Sequence, residues 1–151
     1  MSDLDHRLAL VAARQHQLIT LTDVIAHGGD HHHVRARVRG GQWRRIEPGV
    51  YIVASAPIDW TTRMHAVVLS SDGEAVVGFL AAARMLGIRG FAEAGREVVV
   101  PRGTRFRRDG VRVHESTDLD LCSTRLVEGV PVTDPDRTML DIARLLSVRR
   151  L

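Results

Sequence analysis

The 151-residue sequence contains no lysine and no asparagine, and all 21 of its basic side chains are arginine. Both missing residues use A-rich codons, which fits a GC-rich coding sequence. The absence of lysine also has chemical force. It excludes a phosphate-loop lysine, a Schiff base and a D…E-x-K nuclease centre. Cys122 is the single cysteine, so no internal disulfide or cysteine zinc finger can form, and a reducing compartment is expected. No segment approaches the roughly 20 apolar residues of a membrane span. The N-terminus lacks the basic and then apolar pattern of a secretory signal. A cytoplasmic protein with no membrane partner is expected.

What is present is an ordinary apolar fraction of 44%, enough for a core, and room for one domain or two small ones. Net charge is only +3, but it is unevenly distributed. Residues 31–46 carry five arginines, three histidines and no carboxylate, and residues 102–112 carry five arginines with the single acid Asp109. Such clusters are the electrostatic footprint of a nucleic-acid binder, although a solvated basic face is the simpler reading of the second.

The most informative stretch is 30–51. Asp30 is a good N-cap, and His31 to Arg39 continues as a short helix. Gly40-Gly41 ends it, because glycine adopts the left-handed C′ conformation without penalty. Two short strands follow, 43–46 and 50–53, joined by a turn at Glu47-Pro48-Gly49. Upstream, residues 3–17 have helical spacing through Leu4, Leu8, Val11 and Ala12. Thr20 and Asp23 form a capping box for a second helix through Val24 and Ile25 to His27. Helix, Gly28-Gly29 turn, basic helix and basic hairpin are the layout of a winged helix-turn-helix.

With Val34 toward the core, Val38 falls beside it and Arg37 at the edge, while His32, Arg35, Ala36 and Arg39 project outward. The expected DNA-binding set is His31, His32, His33, Arg35, Ala36, Arg39, Arg44 and Arg45. Arg35 and Arg39 suit bidentate contact with guanine or phosphate, and Ala36 permits close approach. Arg44 and Arg45 would touch phosphate or the minor groove from the wing. Adjacent helical residues diverge by about 100°, so the histidine triplet cannot converge on one metal ion and is expected to meet phosphates or bases instead.

Residues 55–58 look like a linker. Beyond it lie a helix face at Trp60, Met64, Val67 and Val68, and an alanine-rich helix from about Gly78. Strands are expected at 97–100 and 111–115, with Asp109-Gly110 favouring a hairpin between them. A further strand candidate lies within 125–132, and a helix starts at Asp134-Pro135. The acids Glu115, Asp118 and Asp120 could bind Mg²⁺ but read better as a turn. Asp134, Asp136 and Asp141 read as acids of a helix start. No nucleophile elbow or dinucleotide loop is present. Neither an enzyme nor a cofactor or metal site is expected. The fold class is α+β: a winged helix-turn-helix at 1–54 and a small α+β domain at 58–151.

Residues 10–53 resemble the winged helix of AbiEi-type antitoxins of type IV toxin–antitoxin systems, most closely at Gly40-Gly41-Gln42-Trp43-Arg44-Arg45-Ile46 and Pro48-Gly49-Val50-Tyr51. The second half is similar to the same family at Gly78-Phe79-Leu80-Ala81-Ala82-Ala83. A further match runs from Val130-Pro131-Val132-Thr133 through Arg137-Thr138-Met139-Leu140-Asp141-Ile142-Ala143. The resemblance implies a repressor that binds inverted repeats in its own promoter and a second domain that neutralises a nucleotidyltransferase-like toxin. Some relatives continue into a Vsr-like endonuclease domain. This sequence ends at Leu151 without one, so no nuclease role is expected of these residues. A non-catalytic protein-interaction or DNA-targeting module of such a nuclease is the competing expectation.

Overall fold

A computed structural model describes residues 2–148. Local capping signals account for most of its helices. Helix α1 (Asp3–Ala13) begins with a reciprocal capping box between Ser2 and Asp5, and α2 (Leu21–Ala26) with one between Thr20 and Asp23. In α3 (His31–Arg39) the Asp30 carboxylate accepts from the His33 amide at 2.9 Å. Helix α4 (Trp60–Leu69) is capped by Asp59, whose carboxyl is held below its usual range first by the Thr62 amide. Helix α1 is shorter than the periodicity suggests, because His16 and Gln17 take positive φ values of 56° and 62° and turn the chain into a strand.

That strand, β1 (Leu18–Thr20), was not evident in the sequence. It pairs antiparallel with β3 (Val50–Val53), which pairs antiparallel with β2 (Trp43–Glu47), giving the order β1-β3-β2. Alternate residues of this small sheet enter two different cores. Ile19 and Trp43 pack with Leu8, Ala12, Val24 and Val34 of the three helices. Leu18, Val50 and Ile52 pack with Ala56 and with Ala66 of α4, and Leu69 borders them. Helix α4 thus covers the face opposite the helix-turn-helix.

The chain forms two compact units, 1–70 and 71–151. The expected division into 1–54 and 58–151 falls earlier, and α4 is the difference.

In the second unit, β4 (Val76–Val77), β5 (Arg96–Pro101), β6 (Val111–Ser116), β7 (Thr124–Val127) and β8 (Val130–Thr133) form one sheet of order β6-β5-β4-β8-β7. Helices α5 (Phe79–Met85) and α6 (Pro135–Val148) accompany it. Ala81, Ala82 and Ala83 are fully buried, and Gly78 has no room for a side chain: a Cβ there would lie 2.3 Å from Val99 Cγ2. Small residues therefore let α5 lie close against β5.

Three expectations change here. Asp109-Gly110 does not close a hairpin, because β5 and β6 run parallel. The connection between them returns along the sheet, anchored by buried Phe106 and by the Arg102 amide bonding to the Ser116 carbonyl at 2.9 Å. The single strand candidate at 125–132 is a hairpin, β7–β8, turning at Glu128-Gly129, both at positive φ. Asp141 is not a helix-start acid but a buried residue inside α6, where both its oxygens accept from Arg137 Nε at 2.9 Å. The architecture is α+β, and no described helix is long and apolar enough to cross a membrane.

Candidate nucleic-acid interface

The inner side of α3 is fixed by two kinds of contact. Val34 is buried in the helical core, and Trp43 packs below it. Beside Val34, Arg37 pairs with Asp5 of α1, and His33 Nε2 lies 3.4 Å from the same carboxylate. The His33 ring meets Trp43 edge-on, with centroids 5.8 Å apart. Burial opposes the charge on Asp5, but hydrogen bonds from Ser2, together with Arg37 and His33, outweigh it and hold the carboxyl below its usual range. One carboxylate on α1 therefore fixes two turns of α3.

This arrangement separates the eight residues expected to bind DNA. His31, His32, Arg35, Ala36 and Arg39 are exposed. On a helix that turns about 100° per residue they occupy one outward arc, with Arg35 and Arg39 at its middle. Arg35 and Arg39 have no acceptor among the described residues, so their guanidinium donors remain available. His33 departs from the expectation. It is half-buried and turned inward toward Asp5 and Trp43, because α1 packs against that side of α3. Val38, expected in the core, is 38% exposed. The inner stripe is His33, Val34 and Arg37, and it excludes Val38 by one helical step.

The wing divides its two arginines in the same way. Arg45 is opposite Tyr51, whose ring contributes to the core on the helix-turn-helix side. Arg44 is opposite Ile52, on the face that α4 covers, and its Nη2 donates to the Ala56 carbonyl at 3.3 Å. Successive strand residues point to opposite faces, so Arg44 and Arg45 do not act as one pair. Arg45 shares the α3 side, is exposed, and has no acceptor among the described residues.

Asp5 is the positional residue that sequence reasoning missed. It was legible as an acid favoured by the helix dipole, but its pairing with Arg37 is set by the crossing of α1 and α3, which no local pattern encodes.

Residues 6–54, from the first turns of α1 to just past β3, match the family model described as "Transcriptional regulator, AbiEi antitoxin". No curated protein gives a significant match to the chain. The matched stretch contains most of α1, all of α2 and α3, and the three strands that present the outward arc of α3 and the wing, an arrangement that fits a winged helix-turn-helix. Over those residues the chain is similar to the AbiEi antitoxin family of transcriptional regulators.

Proposed function

We propose that the chain is a DNA-binding repressor of the antitoxin type, acting by binding rather than catalysis. Helix α3 would lie in the major groove, with Arg35 and Arg39 toward base edges and Arg45 of the wing on phosphate. The observation that carries this reading is the outward arc of α3, where two arginines without acceptors among the described residues lie beside the small Ala36. His31 and His32 sit at the helix N-terminus, where phosphate approaches favourably. Repression of its own promoter through inverted repeats, action in the cytoplasm and neutralisation of a nucleotidyltransferase-like toxin through residues 71–151 complete the proposal. Leu121 and Leu126, 83% and 75% exposed on and beside β7, support a protein partner for that second unit.

The test is fluorescence anisotropy of the chain with its own upstream duplex and with a scrambled duplex, across a salt series. Selective binding whose logarithm falls by roughly 0.9 per phosphate contact against log salt is expected. Arg35→Ala or Arg39→Ala should cost about 1–3 kcal/mol on the selective duplex. Arg45→Ala should weaken both duplexes alike and reduce the salt slope by roughly one. Binding that is indifferent to all three substitutions would exclude this docking face.

A further inference from the structure

The second unit contains a cavity of about 810 Å³ between β5, β6, the segment that follows them and α6. Its apolar wall is Phe79, Val99 and Leu145. Phe79 takes a φ of 54°, a left-handed conformation uncommon for a residue with a side chain. This turn lays the Phe79 ring flat on His114, with centroids 3.7 Å apart and planes 16° from parallel. From its other side His114 is fixed by Glu97: Nε2 donates to the buried carboxyl at 2.7 Å. A buried acid and a strained aromatic residue together define the orientation of one imidazole, and such strain persists only where the surroundings enforce it.

The polar groups lining the cavity fall into two sets. The carboxylates are already engaged. Arg137 donates to both oxygens of Asp141 at 2.9 Å and to Asp118 at 3.1 Å, and it also bonds Ser116. Glu115 accepts from the Gly103 amide and pairs with Arg107 at 3.7 Å. The groups without partners are of the opposite kind. The guanidinium of Arg102 and the Thr117 hydroxyl have none among the described residues. Arg144 reaches Asp141 only at 4.0 Å. Two guanidinium groups and a hydroxyl, beside an aromatic and aliphatic wall, match an oxyanion attached to an apolar body.

We infer that this cavity binds a small molecule carrying a carboxylate or phosphate group on an apolar body, its anion held by Arg102 and Arg144 and its body set against Phe79, Val99 and Leu145. The site shares no residue with the α3 face and stands independently of the DNA-binding reading. His114, Thr117 and Arg137 line it, and Arg137 pairs with both Asp118 and Asp141 and so lowers the negative charge they present to the anion.

Isothermal titration calorimetry of the full chain with phenyl phosphate, benzoate and inorganic phosphate tests this. Saturable binding of phenyl phosphate or benzoate is expected, at least about tenfold tighter than that of inorganic phosphate. The tighter of the two organic anions identifies the phosphate or carboxylate source. Arg102→Gln and Arg144→Gln should each weaken binding by roughly tenfold. Both side chains are exposed, so these variants are expected to fold. Arg125→Gln, on exposed β7 and outside the cavity, should leave binding unchanged. The inference is overturned if none of the three anions saturates up to about 10 mM, if inorganic phosphate binds as tightly as the organic anions, or if Arg125→Gln weakens binding as much as the cavity variants.

Discussion

Individual side chains in this protein are often held in one protonation state by their surroundings, and His65 is the clearest case. It is 4% exposed in α4, with Nδ1 2.8 Å from Nδ1 of His16, so one ring donates and the other accepts. Burial first, and the neighbouring His16 second, push His65 down from 6.5 to about 4. The folded protein therefore holds fewer protons than the unfolded chain between those values. Stability should be fully present above pH 6.5 and decline as pH falls toward 4. At about 1.4 kcal/mol per pH unit, the full loss should approach roughly 3.5 kcal/mol. Denaturant unfolding as a function of pH measures it, and His65→Gln should flatten that slope. A slope unaltered by the substitution would show that other groups carry the acid sensitivity. The histidine triplet illustrates what sequence can resolve at this scale. The helical step correctly separates three adjacent rings, but only the crossing of α1 over α3 decides that His33 is the one turned inward.

Elements were legible where a signal is local. The Thr20–Asp23 box, the Asp30 cap, the Gly40-Gly41 stop and the Pro48-Gly49 turn all lie within a few residues of the structure they specify. Strands β1 and β4 were not legible, and β7 was not told apart from β8. Each is at most four residues long and forms through pairing with distant segments rather than through its own pattern. The β5–β6 pair was misread for a related reason. Asp109-Gly110 does turn the chain, but strand direction is decided by the path of the whole connection and by buried Phe106. On the candidate interface, the outward arc of α3 followed from periodicity. The separation of Arg44 from Arg45 required knowing which face of β2 each core occupies. The close approach of α5 to β5 yields a sharp prediction. Gly78→Ala places a methyl group 2.3 Å from Val99 Cγ2, and overpacking of this kind should cost about 1–3 kcal/mol. A thermal melt of the variant checks it, and an unchanged midpoint would mean that α5 can move away at no cost.

At the scale of the whole molecule, the first unit needs more chain than its recognition elements occupy. Leu18, Val50 and Ile52 are covered by α4 rather than by the helix-turn-helix. Removing that cover exposes three large side chains, each worth roughly 1.5–3 kcal/mol when fully buried. A fragment of residues 1–54 should therefore lack a cooperative melt, whereas 1–70 should retain one together with DNA binding. Circular dichroism of the two fragments distinguishes these outcomes, and equal melts would show that α4 is dispensable to the fold. The same two-sided burial restricts how related chains can vary in length. One residue inserted within β3 would exchange the two cores, sending Ile52 toward the helices and Tyr51 toward α4. Insertions and deletions should instead collect at the Pro48-Gly49 tip and at 54–58, so the reach of the wing can drift between relatives while the surface of α3 stays in place.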